Sequence, residues 1–117
     1  MSTLARIEDE WHGDVPVARI AGEVDASNVD DVRNRLRSLL TNRSVSLVVD
    51  LSATSYLDSA GINLLFALGD EMRTRQQTLR LVVAPASSIA RMLAITSLDR
   101  AHPTYGTAAE ALAGEPS

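Results

Sequence analysis

The sequence predicts an α/β domain: a mostly parallel central sheet with an N-terminal antiparallel hairpin and helices packed on the sheet. Three observations predict it. Strand-like and helix-like patterns alternate in the order β-β-α-β-α-β-α-(β)-α, and alternation implies crossover connections and parallel pairing. Two segments, 45–51 and 79–84, are dominated by apolar residues, as strands covered on both faces are. At the N-terminal end, residues 5–11 alternate in character and run into a Gly-Asp turn, the pattern of a hairpin.

In chain order, Ala5, Ile7, Asp9 and Trp11 fall on one side of an extended segment and Arg6, Glu8 and Glu10 on the other. Trp11 is expected to pack in the core or the hairpin. His12-Gly13-Asp14 forms the turn, and a second strand covers 15–21, where Pro16 suggests a strand end or an edge. Residues 22–28 connect to a helix capped by Ser27 and running to about Leu40, with Val29, Val32, Leu36, Leu39 and Leu40 as its apolar face. Asp30 and Asp31 in its first turn and Arg33, Arg35 and Arg37 further on suit the helix dipole. The arginines are expected on a solvated face, with Asp31 and Arg35 as an i, i+4 pair.

The central strand, 45–51, follows a polar turn at 41–44, and a loop spans 52–58. Ser59 is expected to cap a helix to about Arg75 that is apolar around most of its circumference. A strand at 79–84 stops at Pro85, and Ser87 or Ser88 caps a short helix bearing Ile89, Met92 and Leu93. The chain then passes through Leu98-Asp99-Arg100 to a weak edge strand at 102–105, limited by Pro103. Thr107 and Glu110 make a capping box for a last helix, closed by Gly114. If the strands ending near Ala21, Leu51 and Ala84 are parallel, their loops share one end of the sheet, and segments 22–28 and 52–59 become neighbours.

Composition narrows the function. The 117 residues include 45% hydrophobic and 22% charged residues, the balance of one globular domain over 1–117 with a core of about 5–113. A net charge of -4 argues against generic nucleic-acid binding, which needs positive potential. Without cysteine there is no disulfide scaffold, thiolate metal site or cysteine nucleophile, and His12 and His102 lack metal-ligand spacing. All 11 basic residues are arginine, which excludes a P-loop lysine and Schiff-base chemistry. The longest apolar run, 64–68, is too short to span a bilayer, and the first ten residues have no apolar signal segment. The expected location is the cytoplasm, with no cofactor, no metal, no membrane and no direct nucleic-acid partner.

The segment Leu57-Asp58-Ser59-Ala60-Gly61-Ile62 carries the chemistry. It follows a buried strand and opens a helix, where backbone N–H groups lack partners. Ser59 alone reads as an ordinary cap, worth about 1 kcal/mol. Gly61 costs a helix about 1 kcal/mol against alanine, which either the close approach of another molecule or tight packing on the sheet explains.

Three motifs in order make the chain similar to the STAS domain family. They are Val48-Val49-Asp50-Leu51-Ser52 followed by 56–62, Gly22-Glu23-Val24-Asp25 after the second strand, and the tail 93–100 with Tyr105 and 109–112. The resemblance spans roughly residues 7–113, and the free-standing members most like this chain are bacterial anti-sigma factor antagonists. It implies that Ser59 is a phosphoacceptor for an anti-sigma factor that is itself a serine kinase. The unphosphorylated form binds that kinase and frees the sigma factor; phosphorylation ends binding until a PP2C-type phosphatase restores it. Asp25 and Asp58 match the flanking acidic residues, and Gly22, Glu23, Asp25, Ser27, Asp58 and Gly61 are expected to serve partner recognition. Ala60 departs from the family's frequent serine or threonine, which removes a second acceptor.

Other functions fare worse. Leu57 stands where a G-x-S-x-G elbow needs glycine, so Ser59 is not the nucleophile of such a hydrolase, and no enzymatic activity is expected. Asp50 lies near a strand end as a receiver's phosphoacceptor would, but a receiver also needs lysine, so Asp50 is read as structural. The alternative is a non-switching assembly module, either a stressosome subunit or an accessory subunit of a lipid-transport ATPase. A monomer or weak dimer in solution fits the antagonist reading.

Overall fold

The computed structural model describes residues 5–114. Its elements run β1 (Ala5–His12), β2 (Val15–Val24), α1 (Val29–Ser38), β3 (Ser46–Asp50), β4 (Thr54–Leu57), α2 (Ser59–Thr74), β5 (Thr78–Val82), α3 (Ser88–Ile95), α4 (Leu98–Ala101), β6 (Thr104–Tyr105) and α5 (Ala108–Ala113). The sheet order is β1-β2-β3-β5-β6, antiparallel between β1 and β2 and parallel elsewhere. This is the expected architecture with two additions, β4 and α4.

The hairpin turns through Gly13 and Asp14, with His12 paired to Val15. Gly13 has φ +63, which glycine adopts without steric cost. Pro16 lies at the start of β2, but β2 is an interior strand, so the proline marks an end rather than an edge. Trp11 pairs with Pro16 and remains 44% exposed, so it belongs to the hairpin and not to the core.

Where a plain connection was expected at residue 22, β2 continues to Val24. A register shift falls between Gly22 and Glu23, and Gly22 takes φ +101 there. Across the shift β2 pairs with β4, with Gly22 opposite Thr54 before it and Val24 opposite Leu57 after it. Thus β3 and β4 lie one after the other along the same side of β2, interrupted at 51–53. Thr54 secures the junction by donating its hydroxyl to the Ile20 carbonyl at 2.8 Å. Asp50 is structural: it is 3% exposed, accepts from the Ser52 N–H and hydroxyl, and pairs with Arg19.

The main core lies between one sheet face and α1, α2 and α3, built on side chains such as Ile20, Leu36, Leu65, Leu68 and Leu93. A smaller cluster of Val17, Val48, Val82, Tyr105 and Ala111 sits under α5 on the other face. Arg80 of β5 holds α5 by donating to the Ala111 carbonyl at 2.8 Å, at the helix end where carbonyls lack partners. The Thr107 cap accepts from the Glu110 N–H, and Gly114 ends α5 in the left-handed region, as expected.

The arginines of α1 lie on a solvated face, as expected, and pair there. Arg35 pairs with Asp9 of β1 instead of Asp31, Arg37 with Glu71 of α2, and Arg33 with Asp30. Such exposed pairs contribute at most about 1 kcal/mol each, so their main effect is to orient α1. No helix among the described residues is long and apolar enough to cross a membrane.

Candidate functional site

Pairing of β2 with β4 builds the site. Val24 and Leu57 sit side by side, so the residues that follow them, Asp25 and Asp58, emerge together at the C-terminal end of the sheet. The Asp58 N–H donates to the Val24 carbonyl at 3.2 Å. The two loops are neighbours, as the parallel topology requires.

Asp58, not Ser59, caps α2. Its Oδ1 accepts from the N–H groups of Ala60 at 2.8 Å and Gly61 at 3.1 Å. Its Oδ2 accepts from the Ala26 N–H at 3.2 Å and so ties the helix to the β2–α1 loop. Ser59 is therefore the first helical residue. It is exposed, and its hydroxyl makes no hydrogen bond among the described residues. Sequence alone favoured serine as the cap because serine and aspartate are equally good at that position; the extended backbone of Asp58 places the cap one residue earlier.

Helix α1 is displaced the other way. Its N-cap position is Asn28, one residue later than expected and without a side-chain capping bond, and Ser27 instead turns back on Asp25. Asp25 accepts from the Ser27 N–H at 2.9 Å and from the Ser27 hydroxyl at 2.5 Å. The Ser27 hydroxyl is the main reason the Asp25 carboxyl lies below its ordinary pKa, with the Ser27 and Asn28 backbones adding to it. Asn28 is 7% exposed and latches the whole turn. Its Oδ1 accepts from the Asp25 N–H at 3.0 Å, and its Nδ2 donates to the Glu23 carbonyl at 2.8 Å. Sequence reading passed over Asn28 because its role depends on a bulged β2. Two net hydrogen bonds are worth about 2 kcal/mol. Asn28→Ala is accordingly expected to lower unfolding stability by about 2 kcal/mol in urea titration.

Gly61 is buried beneath this surface. A Cβ there would lie 3.0 Å from Leu57 Cδ2 and 3.3 Å from both Val24 Cγ1 and the Val24 carbonyl. Of the two explanations for this glycine, the structure shows tight packing on the sheet. Gly22 is half-buried in β2, while Glu23 and Ser27 are exposed.

A groove of about 750 Å³ runs from Ser59 between α2 and α3, lined by Tyr56, Leu57, Asp58, Ser59, Ile62, Asn63, Phe66, Met92 and Thr96. Tyr56, which the sequence left between exposed anchor and buried prop, is 48% exposed. The contribution of α3 was not anticipated, since nothing in its sequence says which helix it approaches. No basic side chain among the described residues lines the groove. Charge on Ser59 would therefore meet Asp58 and Asp25 but no lining cation. The Ala60 and Gly61 N–H groups at the helix N-terminus already serve Asp58.

Cap and charge can be separated at Asp58. Asparagine caps as well as aspartate, and alanine does not. Asp58→Asn keeps the cap, but its Nδ2 cannot accept from the Ala26 N–H, so it should lose about 1 kcal/mol, whereas Asp58→Ala, which removes both oxygens, should lose about 2 to 3 kcal/mol in thermal or urea unfolding.

Comparison with known proteins adds a family and named relatives. The family model described as the STAS domain matches residues 6–111. Osmosensory protein A of Mycobacterium tuberculosis is 38% identical over 84 residues, which is 70% of this chain but 51% of that protein. This chain thus matches about half the length of that relative. The anti-sigma-F factor antagonist RsfB of the same species is 29% identical over 104 residues, covering 88% of this chain and 83% of the relative. The crystal structure of an anti-sigma factor antagonist from Mycobacterium paratuberculosis superposes with a TM-score of 0.83 at 25% identity, covering 94% of this chain and 92% of the other.

Proposed function

The chain belongs to the STAS domain family, and from that premise we propose that it is an anti-sigma factor antagonist switched by phosphorylation at Ser59. Unphosphorylated, it binds an anti-sigma factor that is a serine kinase and so releases the sigma factor. Phosphorylated, it does not bind until a PP2C-type phosphatase removes the phosphate. It acts in the cytoplasm as a binding module and kinase substrate, not as an enzyme.

One observation carries this reading. Ser59 is exposed with an unengaged hydroxyl, next to a carboxylate that already caps the helix. A hydroxyl needed for the cap would be withdrawn from a kinase; this one is available. The names of two relatives, the RsfB protein and the M. paratuberculosis antagonist, point to the same class. Asp25, Asp58, Glu23 and Ser27 form the recognition surface around Ser59, while Gly22 and Gly61 shape it from within β2 and α2.

Affinity capture from source lysate, with wild-type and Ser59→Glu chains as baits, tests the proposal. Recovery of an ATP-binding kinase by wild type and its loss with Ser59→Glu is the expected result. Equal recovery by both baits of a transport ATPase or a scaffold protein would make the chain an assembly module and Ser59 a bystander.

A further inference from the structure

His102 lies far along the chain from the Ser59 site, yet it bears on the same helix. Its side chain is buried, with 5% of the residue exposed. Its Nε2 has no hydrogen-bond partner among the described residues. The Cε1–Nε2 edge of the ring rests on Gly69 of α2, so closely that a Cβ at Gly69 would lie 2.2 Å from both atoms. The ring also borders a cavity of about 120 Å³ shared with Gly69, Arg73, Gln77 and Thr78. His102 thus joins α2 to the segment Leu98–Tyr105, which holds α4 and the edge strand β6.

We propose that His102 is an acid-sensitive latch: protonating its imidazole releases the α4–β6 segment from α2 without unfolding the rest of the sheet. A charged imidazole in this seat would be desolvated and unable to donate from Nε2. Of the elements packed on it, α2 presents Arg73, which repels the added proton, and Asp70, which partly offsets Arg73. The groups lining the cavity from Gln77, Thr78, Leu79, Ala101 and Pro103 carry no charge. Burial foremost, then Arg73, holds the imidazole below its ordinary pKa. Stability from a depressed histidine is complete above its unfolded value, near 6.5, and falls as pH drops below that value.

Few hydrogen bonds tie the segment to the sheet, and its release withdraws two buried anchors, Leu98 and Tyr105, from the core. The edge strand β6 has two residues, bonded to β5 through Leu81 N–H to the Pro103 carbonyl and Val83 N–H to the Tyr105 carbonyl, both 3.0 Å. Arg73 adds a long 3.4 Å contact to the Ala101 carbonyl.

Amide hydrogen exchange on the wild-type chain and His102→Gln between pH 7.5 and 5.5, corrected for intrinsic rates, reads this out. Opening at the Leu81, Val83 and His102 amides should increase below about pH 6.5 by up to tenfold per pH unit, the limit for one proton. Protection of β3 should hold level, and His102→Gln should lose the dependence. Wild-type exchange that is flat with pH, or that changes in step with β3, overturns the latch. So does an unchanged dependence in His102→Gln. Should that variant fail to fold, the wild-type His102 ring titration followed by NMR decides: opening must rise as pH falls from about 6.5 to the native ring's midpoint and level off below it, and a native midpoint at or above about 6.5 refutes the latch.

Discussion

Phosphorylated at Ser59, the chain should bind its anti-sigma factor about a thousandfold more weakly than the unmodified chain, a difference of about 4 kcal/mol. Phosphate adds a charge of about -1.5 to -2 at pH 7. It would arrive at an exposed position beside Asp58 and near Asp25, where the adjoining groove offers no basic side chain. The Ala60 and Gly61 N–H groups are already held by Asp58. The added charge therefore faces outward, where a partner covering this surface must desolvate it against like charges. Ser59→Glu carries less charge and should weaken binding in the same direction by less, while Ser59→Ala should bind like the unmodified chain. Isothermal titration with the kinase recovered by capture checks all three. Equal affinities for Ser59→Ala, Ser59→Glu and the phosphorylated chain would contradict the switch.

Gly69→Ala should destabilise the fold by about 2 kcal/mol, although alanine is the better helix former by about 1 kcal/mol. The new methyl would fall on two atoms of a buried imidazole at 2.2 Å, so the ring must shift to admit it. Overpacking of this kind usually costs about 1 to 3 kcal/mol. The melting temperature should fall by roughly 10 °C for a domain of this size. In the His102→Ala background the same change should cease to destabilise, giving a clear coupling in a double-mutant cycle. A Gly69→Ala chain as stable as wild type would show that the ring moves aside freely.

Periodicity made most of the fold legible. The nearly unbroken apolar run at 45–51 marked the central strand, and the Gly-Asp turn marked the hairpin. Strand β4 was illegible because Thr54-Ser55-Tyr56-Leu57 is short and its inner residues are exposed; only the bulge at Gly22 gives it a partner. Helix α4 is a single turn with too few positions to show a period.

The site was legible as a segment but not in detail. Asp58 and Ser59 stood in the motif, yet the choice of cap between two adjacent capping residues depends on backbone angles that sequence does not display. Asn28 was hidden because its partners, the Asp25 N–H and the Glu23 carbonyl, are set by the bulge in β2. Arg35 reached Asp9 instead of Asp31, since pairing across elements competes with pairing along a helix. Gly69 carried a usable signal, a glycine inside a helix that costs about 1 kcal/mol; its counterpart, 33 positions away at His102, could be found only in three dimensions.

The most direct test of the central claim is to incubate the purified chain with the captured kinase and ATP and map the product by mass spectrometry. The account predicts one phosphate, on Ser59, and no phosphate on the Ser59→Ala chain. An unmodified wild-type chain, or a Ser59→Ala chain phosphorylated to the same extent, would contradict it.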